Sequence, residues 1–495
     1  SKLNITSIIM SENLNLLKPE KVWKHFMALC NIPHISKHES ALAAYIVDFA
    51  KKNNIECHTD KIGNVLLRKP ASKGMEGCKG IIMQGHIDMV AQKNNDKKFD
   101  FLKDGIEPII DGEWVTADGT TLGADNGIGV SSALAIMESN DLVHGDIEAL
   151  FTIDEETGMT GAFALANNLL KGDILLNLDS ESEGELYVGC AGGVDVVSSL
   201  PIVWQKVENG YTTFSLNLGG MKGGHSGMEI ILQRGNANKA LARVIYECMQ
   251  VADLRVISFN GGDVRNAIPR ESSANVVVKD SDVACFEKKA KEIIGAIKNE
   301  LKERESTIEL QVSKIAAADK SFDKHTSSTF INLVNVHPNG VVRMSDTIPG
   351  LVETSNNLGV IKTEENKITS ISLVRSSSNT YKDYLRSQIC GLFENAGGES
   401  LLFGDYNGWT PNMNSPILNA MQDRYKLLYG KTPEIKAIHA GLECGIIGGI
   451  YPKMDMISFG PTICYPHSPD EKVNIESVGK FFNFLIDTLA HAPKK

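Results

Sequence analysis

The sequence predicts an α/β protein in which a mixed, largely parallel sheet flanked by helices is interrupted by an inserted α+β module. Three observations predict it. Strands alternate with helices up to about residue 190 and again from about residue 398; the stretch 191–397 changes to paired strands around long helices; and acidic and imidazole side chains collect where the outer strands end. Ligand-type residues thus fall on both sides of the module. The expected division is one domain from 1–190 and 398–495, and a second from 191–397.

Taken in order, residues 19–29 and 40–52 read as amphipathic helices, the second from apolar residues at Ala41, Ala44, Ile46 and Phe49. Strands follow at 56–67 and 80–90, then a helix over 127–137, a strand over 147–153, a helix over 161–170 and a strand over 173–178. Inside the module, strands at 211–218, 254–259 and 273–278 surround helices at 236–251 and 283–302. A second, looser round follows, with strands at 331–336, 340–344, 351–358 and 368–375 and a helix at 381–395. That order suggests a duplication, although no residue-level repeat is visible. The α/β texture returns with a helix at 416–429, strands at 434–438 and 454–459, and a closing helix at 477–490.

Composition narrows the function classes. With 50 basic against 61 acidic residues and a net charge of −11, the chain has no electrostatic footprint for nucleic acid or an anionic membrane. Hydrophobic residues at 42% and charged residues at 22% are globular values, in a chain of 495 residues long enough for more than one core. Apolar runs such as 81–83 and 446–450 fall far short of the ~20 residues a membrane helix needs. Ser1–Glu12 has one Lys, a weak apolar patch at 8–10 and no cleavage site, which reads as no secretory signal. Nine scattered cysteines without a C-x-x-C pair point to a reducing cytoplasm, each expected to be a buried small hydrophobe.

Five strand-end segments carry the candidate chemistry. The strand ending Gly85-His86-Ile-Asp88 turns an imidazole and a carboxylate to one face, the pairing in which an acid orients a metal-bound His. Asp118-Gly-Thr-Thr-Leu-Gly-Ala-Asp125-Asn126-Gly-Ile-Gly lacks the Lys of a phosphate loop; Asp125 or Asn126 is either a helix cap or a ligand. Asp154-Glu155-Glu156-Thr-Gly is either a solvated turn or a ligand beside a base. Asn177-Leu-Asp179 has the same ambiguity, and His467 lies in a Pro-rich loop. Together His86, Asp125, Glu156, Asp179 and His467 offer nitrogen and oxygen donors without thiolate, which suits zinc, cobalt or manganese in an open site.

These motifs, in this order, resemble the co-catalytic zinc aminopeptidase/carboxypeptidase family that includes peptidase T, aminoacylase and carboxypeptidase G. Further matches to its dipeptidase branch are Cys190-Ala-Gly-Gly, Lys222-Gly-Gly-His-Ser-Gly, Gly235-Asn-Ala-Asn-Lys, Arg265-Asn-Ala-Ile-Pro-Arg-Glu and His439-Ala-Gly-Leu-Glu-Cys-Gly, spanning roughly residues 15 to 490. The resemblance implies a zinc-peptidase-like catalytic domain with the module as a lid. One divalent ion would be held by His86 and Asp179 and another by Glu156 and His467, with Asp125 between them. Zinc stands ahead of cobalt or manganese. Asp88 would orient His86, Glu155 would be the general base for a metal-bridging hydroxide, and Asp125–Asn126 would be a cis peptide.

The same resemblance implies that His225 reaches the scissile carbonyl and Arg375 holds the substrate carboxylate, with Asn266 also binding substrate and His439 and Glu443 shaping the pocket for its amino end. Each has a plain alternative: a tight turn for His225, a surface strand position for Arg375, capping and packing for His439 and Glu443. The implied activity is hydrolysis of unblocked dipeptides, including Xaa-His and β-alanyl-histidine. A sibling N-acyl-amino-acid deacylase or tripeptidase is the alternative, and a non-catalytic metal-binding protein a more distant one. The only partner implied is a small peptide, and a homodimer is compatible with the sequence.

Overall fold

The computed structural model describes residues 14–495, so the reading of the first twelve residues lies outside the described residues. The chain forms two compact units: residues 14–189, 411–437 and 443–495 make the first, and residues 190–410 and 438–442 the second. This differs from the sequence expectation at 398–410 and 438–442. The strand Glu399–Tyr406 reads in sequence like a return to α/β, but it pairs with Gly192–Pro201 and completes the second unit's sheet.

The first unit is built on an eight-stranded mixed sheet. At its centre Ile81–His86, buried along its whole length, runs parallel to Ile147–Thr152 on one side and Ile174–Asn177 on the other, and Asp455–Ser458 runs parallel to the last. Strands buried on both faces are continuous apolar runs, which is why alternation is absent here. The predicted strand over 56–67 is a hairpin, Glu56–Thr59 with Val65–Lys69. Asp60 turns the chain, its Oδ1 accepting from the backbone N–H groups of Ile62, Gly63 and Asn64. The expected helix over 161–170 is only the short Thr160–Phe163.

In the second unit a nine-stranded sheet consists of two four-stranded α+β repeats side by side and one added strand, Gly340–Met344, which pairs with Val352–Thr363. The first runs Tyr211–Gly219, helix Ala237–Met249, Leu254–Gly261, Ser272–Lys279, helix Val283–Glu300 and Glu309–Lys314. The second runs Gly192–Pro201, helix Lys324–Val336, Val352–Thr363, Lys367–Ser376, helix Asn379–Asn395 and Glu399–Tyr406. Both have the chain order β-α-β-β-α-β and the same spatial order, with the fourth strand beside the first, then the third, then the second. They join where Leu254–Gly261 meets Val352–Thr363, at the pair Gly261 and Ile361.

The first repeat is therefore inserted between the first strand and first helix of the second, and that nesting hides the duplication from a linear reading. Residues 331–336, expected as a strand from their β-branched content, instead end the helix Lys324–Val336. Asp323 caps it by accepting from Thr326 N–H at 2.7 Å, and Phe330, Ile331 and Val334 bury a helical stripe in the core. No helix among the described residues is long and apolar enough to cross a membrane. Cys285 is exposed and Cys57, Cys390 and Cys464 are partly exposed, against the expectation that each cysteine is buried.

Candidate metal centre

Parallel strands end together, and their following loops therefore converge, as open α/β sheets arrange their ligand sites. His86 ends its strand, Asp88 follows it, Glu155 and Glu156 open a turn after Ile147–Thr152, and Asp179 follows Ile174–Asn177. Asp125 lies at the start of the helix Ala124–Glu138, in a cis peptide with Asn126. Asn126 ties two strand ends by accepting from His86 N–H at 3.1 Å and donating to the Leu178 carbonyl at 2.7 Å. Gly85 makes room for it, since a Cβ there would lie 2.5 Å from Asn126 Oδ1.

Asp125 turns one oxygen to each imidazole: Oδ1 lies 3.0 Å from His86 Nε2 and Oδ2 3.0 Å from His467 Nε2. Glu156 Oε1 is 3.0 Å from His467 Nε2, and Asp179 Oδ1 is 3.4 Å from His86 Nε2. Donors bound to one tetrahedral ion at about 2.0–2.2 Å lie about 3.3–3.6 Å apart, so the Asp179 spacing already fits an ion and the 3.0 Å spacings need open by only a few tenths of an ångström to share one. Three such sets are His86 with Asp125 and Asp179, Asp125 with Glu156 and His467, and His86 with Glu155 and Glu156. The last leaves Glu155, 3.7 Å from His86 Nε2, within the same donor cluster as the ligands.

Asp88 organises this centre from beneath. Its Oδ1 is 3.1 Å from His86 Nδ1 and accepts from Glu155 N–H, while Oδ2 accepts from Glu156 N–H and from Ser36 Oγ. A proton on Nδ1 facing Asp88 leaves the Nε2 lone pair turned to Asp125, which is the ligand-ready tautomer. Despite burial, the bond and charge of His86 hold the Asp88 carboxyl down to about 2. Burial pushes Glu155 and Asp179 well above the usual carboxylate range, opposed by His86 and reinforced by neighbouring carboxylates. Two imidazoles do not balance so many buried acids, and cations would.

Several supporting groups were not singled out from sequence. Glu471, in the same His467-Ser-Pro-Asp-Glu segment, accepts from the N–H groups of Leu122, Gly123 and Asp125 at 2.9, 2.9 and 3.1 Å, fastening the Asp125 turn to the His467 loop. Its signal was its place in that segment. Asp154 accepts from the hydroxyls of Thr157 and Thr160, and its own N–H donates to Glu39. Glu443, expected to bind substrate, is 2% exposed and accepts from Gln84 Nε2 at 2.9 Å and Thr152 Oγ1 at 2.6 Å. Both its oxygens are engaged inside the first unit, by residues of the strands that carry the centre.

The other expected substrate residues form a separate cluster in the second unit. His225 Nδ1 accepts from the N–H groups of Gly227 and Met228, both at 3.0 Å, which fixes the proton of the neutral ring on Nε2. Buried Arg375 donates Nε and Nη2 to Ser226 Oγ, and Ser226 N–H donates to the Asn266 carbonyl at 2.9 Å. The Asn266 side chain is exposed. His439 reaches Ser355 Oγ at 2.7 Å. Ser226 was visible only as a member of the Lys222-Gly-Gly-His-Ser-Gly motif, and Ser355 had no signal beyond a buried polar run in a strand.

Residues 82–491 match the sequence profile of the peptidase family M20/M25/M40. Over 486 residues the chain is 48% identical to the cytosol non-specific dipeptidase of Escherichia coli strain K12, covering 98% of this chain and 100% of that one. A crystal structure of aminoacylhistidine dipeptidase from Vibrio alginolyticus matches with a TM-score of 0.93 at 47% identity, covering 97% of this chain and 98% of that one. The aminopeptidase PepT of Bacillus cereus shares the fold, with a TM-score of 0.56 at 15% identity over 96% of this chain and 99% of that one.

Proposed function

The chain belongs to peptidase family M20/M25/M40, and from that premise we propose how it works as a metal-dependent dipeptidase, a hydrolase of peptide bonds. The observation that carries the substrate class is the 48% identity over 98% of the chain to a cytosol non-specific dipeptidase. That relative's name also supports a cytoplasmic setting. Family membership implies divalent metal ions. We assign two, zinc first, because the donor set is imidazole and carboxylate without thiolate. Xaa-His and β-alanyl-histidine are included among the substrates we propose.

When bound, such ions lower the pKa of water and polarise a peptide carbonyl. The remaining work falls to side chains. His86 and Asp179 would hold one ion, Glu156 and His467 the other, and Asp125 would serve both. Asp88 holds the His86 tautomer. Glu155, whose carboxyl burial has made more basic, takes a proton from the attacking water as oxygen adds to the carbonyl carbon. The same carboxyl returns that proton to the departing amine as the C–N bond breaks, so the base is regenerated. His225 Nε2–H donates to the carbonyl oxygen as charge develops there. Arg375 pairs with the free carboxylate of the substrate, which restricts substrates to short peptides.

A panel of dipeptides, tripeptides and N-acyl amino acids, offered to metal-reconstituted protein, tests this reading. Turnover of unblocked dipeptides well above the other two classes is the expected outcome. Preference for N-acyl amino acids or tripeptides would replace it with the sibling activities.

A further inference from the structure

We propose that His439 is a second carboxylate-binding residue, donating from Nδ1 to the same substrate carboxylate that Arg375 receives; the inference rests on the dipeptidase reading above. Ser355 and Arg375 stand directly opposite one another on antiparallel strands, so their side chains share one face of the sheet. Val374 points the other way, into the core beneath the helices, which leaves the Arg375 face turned from them. Arg375 is 5% exposed and spends Nε and Nη2 on Ser226 Oγ, at 3.3 and 3.1 Å.

His439 joins this row through Nε2, 2.7 Å from Ser355 Oγ. It is 6% exposed, and its Nδ1 has no hydrogen-bond partner among the described residues. Gly227 marks the convergence: a Cβ there would lie 2.4 Å from the His439 carbonyl oxygen and 3.1 Å from both Arg375 Nε and His225 Cε1. An unpaired polar atom this deeply buried is costly and uncommon, and a ligand that pairs with it removes the cost.

Burial, together with the neighbouring Arg375 and His225, holds the His439 ring down to about 3, so it is neutral at pH 7 and carries one N–H. We take the Ser355 hydroxyl as the donor to Nε2, which puts that proton on Nδ1. A guanidinium and an N–H donor side by side match the two oxygens of a carboxylate, whereas an ammonium would be repelled by Arg375.

The test compares alanyl-alanine with alanyl-ethylamide, the same molecule with hydrogen in place of the carboxylate, the first by KM and kcat and the second by Ki as competitor. Gln reaches as far as Nε2 and keeps the Ser355 contact without the Nδ1 donor, whereas Asn places its amide where Nδ1 stands. His439→Gln is expected to raise the KM of alanyl-alanine about 10-fold or more, within the range for a hydrogen bond to a charged group. Its kcat and the Ki of alanyl-ethylamide should stay within about 3-fold, His439→Asn should recover most of the loss, and Ser355→Ala should give a smaller loss with the same selectivity. Equal losses for both molecules in His439→Gln and Ser355→Ala, an unchanged KM, or no advantage of Asn over Gln would overturn the proposal. Wild-type protein inactive on alanyl-alanine would instead remove the dipeptidase reading on which it stands.

Discussion

The two polar clusters of this chain are opposites in charge and in construction. The first unit gathers Asp88, Asp125, Glu155, Glu156 and Asp179 around His86 and His467, in loops just beyond the ends of parallel strands. The second gathers Arg375 with two histidines whose rings are held neutral, around a row of side chains in mid-sheet. One cluster crowds buried acids around two imidazoles, and the other sets the Arg375 guanidinium beside Tyr406, Arg265 and Asp195. That difference underlies the proposal of metal chemistry for the loops and carboxylate recognition for the sheet face.

The largest expected effect tests the acidic side. Asp125→Ala removes the carboxylate that turns a separate oxygen to each imidazole at 3.0 Å, so metal per chain by elemental analysis should fall to background and dipeptide hydrolysis should vanish with it. Two ions retained would break the assignment. Next, Glu155→Gln keeps size but cannot take a proton. Turnover should fall by about 100-fold or more, within the range for a lost general base, with metal content unchanged; loss of an ion would instead make Glu155 a ligand and move the base to Glu156.

Arg375→Lys sharpens the other side by keeping the charge and losing the planar fork. KM for dipeptides should rise by about 10-fold, with kcat within about 3-fold. A fall confined to kcat would move Arg375 from recognition to chemistry.

The smallest effect separates neutral histidines from metal ligands through pH. His439 is held down to about 3 and His337, fully buried beside the Pro338 carbonyl, to about 4. The unfolded chain titrates near ~6.5 and takes up these protons first as pH falls. Their contribution is therefore complete above that pH and is lost as pH falls towards the folded values, by roughly 2 kcal/mol each at pH 5. Urea unfolding of metal-free protein at pH 7 and pH 5 reads the loss, and His337→Gln should reduce the slope; an unaltered slope would show that His337 is not responsible.

What was legible in the sequence follows the same division. His86, Asp88, Asp125, Glu155, Glu156, Asp179 and His467 lie in short segments at strand ends, where a glycine or a neighbouring acid betrays the turn. Ser355 faces Arg375 only because strands distant in sequence pair, and its contact with His439, like that of Ser226 with Arg375, leaves no trace in spacing. Glu443 shared a segment with His439 yet packs beneath the metal centre, because adjacent positions on a turn part company. The strand Gly192–Pro201 could not be recognised as the start of a repeat whose other elements come after an entire inserted copy.

That nesting also sets an order of assembly. At about 5–20 residues per second, Gly192–Pro201 leaves the ribosome long before Lys367–Ser376 and Glu399–Tyr406, the strands it must lie between. The inserted repeat contains all four of its own strands and both helices, so it can close while the outer repeat still waits. Contacts of such sequence separation form slowly, since chain closure must be met before any pairing rewards it. The face that carries Arg375 is thus among the last parts of the molecule to take shape, and synthesis interrupted before residue 367 yields a chain without it.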